Sequence, residues 1–228
     1  MNLFGSLMLL PQEAMAGEGV INLLVRYFNE GGNFMWPVLI ILIVGLAIAF
    51  ERVIQLILAD VNTRKFIVSV KNALDEGGVS AAEEICASTR GPVASVFQAG
   101  LLRANEGIDA VEKAVVAYGS IEMSFLERGL VWLSLFIALA PMFGFLGTVI
   151  GMVEAFDAIE AAGDISPSLV ARGIKIALLT TVFGLIVAII LQFFYNYAVS
   201  KIDRIVVEME EASIELIDSL VVIKEKAL

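Results

Sequence analysis

The sequence predicts an all-α integral membrane protein: three transmembrane helices, extended into a helical cytoplasmic domain, with the N-terminus outside and the C-terminus inside. Three observations carry this. The 228 residues are 59% hydrophobic and 18% charged, with a mean hydropathy of +0.88, whereas a soluble domain is about 45–50% apolar and about 25% charged. The apolar excess is gathered in three blocks, each long enough to cross roughly 30 Å of hydrocarbon at about 1.5 Å per residue. The basic residues are shared unequally among the connections.

Residues 1–35 form the first polar segment and contain one basic residue, Arg26. Met1 to Gly19 has no basic n-region, so a cleaved signal peptide is not expected. The first span is placed at 36–58. The fourteen positions after Trp36 carry no charge, and Glu51 and Arg52 then interrupt the run. These two read as interfacial anchors, with the helix continuing beyond the bilayer. Residues 59–128 hold Arg64, Lys65, Lys71, Arg90, Arg103, Lys113 and Arg128. Gly77-Gly78 and Gly91-Pro92 mark turns there, dividing the segment into two or three short helices before a longer one leading into span two.

The second span, 129–153, has no charged residue. The connection at 154–171 carries Glu154, Asp157, Glu160 and Asp164 and no basic residue. The third span, 172–199, is charge-free from Ile176 onward and is entered past Arg172 and Lys175, which read as interfacial charges reaching for the headgroups. Residues 200–228 complete the chain. Lys and Arg mark cytoplasmic loops, so 1–35 and 154–171 are expected in the periplasm and 59–128 and 200–228 in the cytoplasm. No Gly or Pro separates the tail from span three, so one helix is expected to run straight out of the membrane. Its apolar stripe, Ile202, Ile205, Val206, Met209, Ala212, Ile214, Leu216 and Leu220, has the spacing of a face that packs on its own domain, and it could also meet a second subunit.

A net charge of −10 argues against a nucleic-acid partner. With no His and Cys86 as the single Cys, metal, haem and nucleophile chemistry lack their usual groups. No cofactor and no enzymatic activity are expected.

The spans differ in surface. Span one is bulky and aliphatic and suits lipid. Span two carries small residues at Ser134, Ala138, Pro141, Gly144, Thr148, Gly151 and Ala155, with Gly147 and Gly151 forming G-x-x-x-G; span three does so at Gly173, Ala177, Thr180, Thr181, Gly184, Ala188 and Gln192. Small residues let membrane helices approach closely. Pro141, Gly144, Gly147, Gly151, Gly184 and Ala188 are therefore assigned to helix packing and to assembly of a homo-oligomeric ring. Thr148, Thr181 and the adjoining Thr180 are assigned to a polar belt along a pore, since span two runs outward and span three inward, and the threonines fall about 10–15 Å below the outer boundary. Pro141 frees the carbonyl of Ile137. Proton relays through bilayers use carboxylates or His, and these charge-free runs have neither. A carboxylate would have to arrive on another polypeptide.

Leu126-Glu127-Arg128, followed by Ala140-Pro141-Met142-Phe143-Gly144-Phe145-Leu146-Gly147-Thr148-Val149-Ile150-Gly151-Met152, resembles the signature of the MotA/TolQ/ExbB proton-channel family, most of all its ExbB and TolQ branches. Gly173-Ile174, Ala177-Leu178-Leu179, Thr181, Gly184-Leu185, Val187-Ala188 and Tyr195-Asn196 follow the third-span pattern. The resemblance implies a multi-pass protein of the bacterial inner membrane, assembled as a homopentamer around a dimer of single-span ExbD/TolR-like subunits whose membrane Asp carries protons. It further implies torque passed to a TonB- or TolA-like periplasmic arm, with Thr148 and Thr181 facing the partner's Asp. One position departs: the family's third-span Glu, five residues before the threonine, is Ile176 here.

The leading expectation is thus a proton-channel subunit energising TonB-dependent outer-membrane transport. A TolQ-like subunit of the Tol-Pal system and a non-conducting scaffold remain as alternatives. A small-solute transporter is weaker, because three spans show no inverted repeat or broken helix pair.

Overall fold

The computed structural model describes residues 19–60, 62–163 and 167–226. The expectations placed on the first eighteen residues and on Asp164 fall outside these. Among the described residues the chain is helix and turn, with no strand. In chain order the helices are α1 (Val20–Glu30), α2 (Met35–Ala59), α3 (Thr63–Ser88), α4 (Pro92–Leu101), α5 (Ile108–Glu127), α6 (Leu130–Ala162) and α7 (Pro167–Lys226), with a 3-10 turn at Ala104–Glu106. Among the described residues three helices, carrying the three apolar blocks, are long and apolar enough to cross a membrane.

Two helices run past the span ends placed from the sequence. The acidic segment after span two is mostly helical: α6 continues through Glu154, Asp157 and Glu160 to Ala162, and α7 begins at Pro167. Ala and Glu are good helix formers, so leaving the apolar run gives the backbone no reason to stop. α7 is a single helix of 60 residues, as the lack of Gly or Pro after span three suggested.

The chain divides into two compact units. One takes in Met1–Gly45 and Leu135–Leu191, the other Leu46–Ser134 and Gln192–Leu228. In the first, α6 and α7 pack antiparallel with almost nothing between their backbones. A Cβ on Gly184 would stand 2.6 Å from Ala140 O, and one on Gly144 would stand 2.9 Å from Thr180 O. Further along, a Cβ on Gly151 would stand 3.3 Å from Ala177 N. The residues in register are thus 140 with 184, 144 with 180–184, and 151 with 173–177. α2 joins through Gly45, where a Cβ would meet the Leu191 side chain at 2.6 Å. α1 folds back through Gly31-Gly32, and Phe28 meets Trp36 edge-on at 5.5 Å.

The second unit has a conventional core. Phe66, Val70 and Leu74 of α3, Val96, Phe97 and Leu101 of α4, Val111 and Val115 of α5, and Met209, Ala212, Leu216 and Leu220 of α7 form one buried cluster. The tail stripe therefore packs on its own domain, except that Ile214 is exposed and Val206 half-buried. Two residues past Ala212, Ile214 lies about 200° around the helix. The turns fall where Gly and Pro placed them: Gly78 takes φ 71° and kinks α3, and Pro92 opens α4. Polar staples tie α7 to the rest of the unit: Asp60 with Lys201 and Arg204, Lys71 with Glu215, and Thr63 Oγ1 donating to Glu208 at 3.0 Å.

Candidate functional site

The α6–α7 hairpin decides what the small residues do. Gly144, Gly147, Gly151 and Gly184 are buried within one chain. Leucine at any of them would collide with the opposite helix of the same hairpin, mostly with its backbone. Within one chain these glycines sit at the close approaches of the two helices. Ring assembly, the other role expected of them, involves a second copy and belongs to the proposed function. The packed stripe of α6 is Ala140, Gly144, Gly147, Gly151 and Ala155; Ala138 is exposed, and Pro141 and Thr148 are half-buried on its flank. On α7 the packed stripe is Gly173, Ala177, Thr180, Gly184 and Val187, with Thr181 and Ala188 half-buried beside it.

The three threonines therefore separate. Thr180 is fully buried. Its hydroxyl donates to Ala177 O at 2.9 Å, and its Cβ would stand 2.7 Å from a Cβ on Gly147. Within this chain the Thr180 side chain is packed inside the hairpin, away from the flanks that hold Thr148 and Thr181. The sequence held the signal: 173, 177, 180 and 184 are in one helical phase, and 181 is about 100° out of it. Thr148 and Thr181 remain on the flanks. Thr148 Oγ1 donates to Phe145 O at 2.6 Å, and Thr181 Oγ1 reaches across the hairpin to Gly144 O at 3.3 Å. The two hydroxyls thus bond adjoining carbonyls of the same α6 turn. Each hydroxyl proton is engaged, which leaves oxygen lone pairs as the available function.

At the other end of this unit, Lys175 Nζ lies 2.9 Å from Glu30 Oε2, pairing the start of the third span with the end of α1. The bridge spans exposed and half-buried groups, so its contribution is small. Arg172 is exposed. Ile176 packs toward the α1–α2 turn, 3.7 Å from where a Cβ on Gly32 would stand.

Glu51 and Arg52 behave differently from each other. Glu51 is exposed and accepts from Gln55 Nε2 at 2.7 Å. Arg52 is only 6% exposed. It lies on the buried stripe of α2 between Ala49 and Leu56, and its guanidinium stacks on Gly129, which takes φ 90° at the turn into α6; a Cβ there would be 2.6 Å from Nε. Among the described residues Arg52 Nε has no hydrogen-bond partner. The α5–α6 turn closes over the Arg52 side chain.

Outside the spans, Asp60 has its carboxyl held below the usual range by the Lys201 hydrogen bond, which outweighs the opposing effect of burial and is reinforced by Arg204. Burial pushes the Cys86 thiol up to about 12, with the charge of Glu83 adding to it.

Three long apolar helices, two of them joined through backbone-close glycine packing with flanking hydroxyls, fit a multi-pass helical membrane protein. Residues 88–211, more than half of the chain, match the MotA/TolQ/ExbB proton channel family, and the chain belongs to it. It is 34% identical over 180 residues to a putative biopolymer transport protein ExbB homolog of Methanothermobacter thermautotrophicus, covering 78% of this chain and 64% of that protein. It is 30% identical over 180 residues to the putative biopolymer transport protein ExbB-like 1 of Synechocystis sp., covering 78% of this chain and 71% of the relative. A biopolymer transport protein ExbB of Aquifex aeolicus is 37% identical over 71 residues, 31% of this chain and 48% of that protein. The match to the first of these relatives spans just under two thirds of its length.

Proposed function

We propose that this chain is the ring-forming subunit of a proton-driven motor in a bacterial inner membrane. Thr148 and Thr181 line a pore that receives the membrane carboxyl of an ExbD/TolR-like dimer, and the motor energises a TonB-like periplasmic arm. The observation that carries the reading is the pair of flanking hydroxyls on the adjoining carbonyls of Gly144 and Phe145, within spans that hold no carboxylate of their own. Both hydroxyls donate to backbone and offer lone pairs outward, so the belt accepts a hydrogen bond from a protonated carboxyl. Stabilising the ionised form requires the hydroxyls to swing off their carbonyls. A carboxylate in low dielectric has its pKa raised, so the partner group passes the belt neutral and ionises where water reaches it.

Membership of the proton channel family and the ExbB names of the relatives support this reading. The pentamer, the partner dimer and the TonB link are part of the proposal, as are the topology, with residues 1–35 and 154–171 in the periplasm and 59–128 and 200–228 in the cytoplasm, and the inner-membrane location. Ring contacts would come from apolar side chains still exposed on the hairpin, such as Phe145, Val149, Leu178, Val182 and Ile189.

The test is proton flux in proteoliposomes holding the chain and its partner. Thr148→Val and Thr181→Val should assemble normally and lose flux, and Thr→Ser should keep a substantial part of it. Wild-type flux from the double Val variant would reduce the belt to packing. Topology is checked separately with single cysteines: Gly163→Cys should label from the periplasm and Asn105→Cys only from the cytoplasm. Native Cys86 is buried and should stay silent.

A further inference from the structure

A cation buried without a counter-charge disfavours the state that contains it unless something else neutralises it. Arg52 is such a group. It is 6% exposed, its Nε has no partner, and no hydrogen bond or ion pair reaches its guanidinium among the described residues. Nearby carboxylates do not serve it: Glu51 is engaged by Gln55, and Asp60 is held by Lys201 and Arg204. Glu127 and Arg128, just before Gly129, are exposed and opposite in sign.

The guanidinium stacks on Gly129, immediately before the first residue of α6. Of the first-turn amides of α6, those of Trp132 and Leu133 donate to Gly129 O, while those of Leu130 and Val131 have no acceptor inside the helix, and the dipole of this 33-residue helix places partial positive charge there. Two donor systems of one sign therefore meet at one point. Such a pairing of guanidinium and helix N-terminus suits a phosphate.

The surroundings identify which phosphate. Arg52 follows the charge-free run of span one, at the level where headgroups begin. Phe50 and Ile54 on α2, and Val131 and Trp132 at the start of α6, are 52%, 56%, 77% and 60% exposed. Phe50 and Ile54 lie about 200° around α2 from Arg52, so the outward faces of α2 and of the start of α6 are apolar at this level and suit acyl chains, and Trp132 suits the interfacial level. We propose that Arg52 and the N-terminus of α6 bind the phosphate of an anionic phospholipid, which supplies the missing counter-charge and fixes the α5–α6 turn. The inference rests on the multi-pass membrane placement and on no part of the proton mechanism, so the flux experiment above and the lipid experiment below fail independently.

The full chain, purified in detergent and stripped of lipid, is titrated with palmitoyl-oleoyl phosphatidylglycerol, with binding read by native mass spectrometry and stability by thermal melting. Wild type should retain the lipid and melt several degrees higher with it. Arg52→Met, which removes the charge and keeps the bulk, should bind about tenfold more weakly, the loss of one charge-assisted contact. Without lipid, Arg52→Met should melt no lower than wild type. Arg52→Lys keeps the charge and should recover part of the binding, which preserves the test if the Met variant folds poorly. The exposed Arg128→Met serves as control and should bind like wild type. Equal loss in Arg128→Met would mean diffuse surface attraction and overturn the site. So would equal binding by wild type and Arg52→Met. Lipid-independent binding by wild type with a smaller oligomer in Arg52→Met would assign the counter-charge to a second copy of the chain instead. Saturable stabilisation by sodium phosphate alone, equal to that by the lipid, would leave a free-anion site and remove the lipid from the proposal.

Discussion

The α6–α7 hairpin and the four-helix packing of α3, α4, α5 and the end of α7 are both α-helical and both held by apolar contact, yet they are built from opposite materials. In the hairpin the contact is backbone against backbone, with Gly144, Gly147, Gly151 and Gly184 removing everything that would keep the helices apart. In the packing of α3, α4 and α5 with the end of α7 the contact is large side chain against large side chain, Phe66 against Phe97 at 5.3 Å being typical. The solvent explains the contrast. In water, burying a Phe is favourable in itself. In lipid it is not, because the tails are as apolar as the side chain, so association depends on close van der Waals approach and on hydroxyls such as Thr181 bonding across.

The two regions should therefore fail in opposite directions. The largest effect is expected for Phe97→Ala, which empties a fully buried site and should cost about 3–5 kcal/mol, read as a lower denaturation midpoint. Next is Gly184→Ala, where one added methyl meets the carbonyl oxygen of Ala140 and the backbone must move. Overpacking of this kind costs about 1–3 kcal/mol or more, and a melting curve should show it. Gly45→Ala is the sharpening control. Its methyl meets only the end of the Leu191 side chain, which can turn aside, so its loss should be clearly smaller. If the two substitutions cost the same, rigidity of the hairpin backbone is not what distinguishes this region.

A smaller effect belongs to Asp60. Its folded-state pKa is lowered, so its contribution is present above the unfolded value near 3.8 and is lost as pH falls through the folded value. Asp60→Asn should cost about 1 kcal/mol at neutral pH and flatten the acid limb of the stability profile below about pH 4. An unchanged acid limb would show that the staple with Lys201 and Arg204 contributes nothing. The smallest effect concerns Cys86. With its thiol pushed up to about 12 and buried, it should resist maleimide at pH 8 in the folded chain and react once denaturant opens the helical core. Rapid labelling of the folded protein would contradict the packing around Ala82 and Cys86.

Much of this was legible from residue order. Charge-free runs of membrane length, Gly-Gly and Gly-Pro punctuation, and the uninterrupted passage from span three into the tail are local properties, and local chemistry sets them. The family signature from Ala140 to Met152 was legible for the same reason, since a contiguous motif needs no partner to be read. Which of two adjacent threonines is buried was legible only in part: helical phase separates Thr180 from Thr181, but the identity of the packed face emerges once α6 and α7 are set against each other. Likewise, a small-residue stripe records that something packs closely without recording whether it is the same chain or another. Tertiary structure alone decided that the glycines close a hairpin. It alone buried Arg52 under Gly129, because a charge next to a second charge at the end of a span reads as solvated until a turn 77 residues further along the chain folds over it.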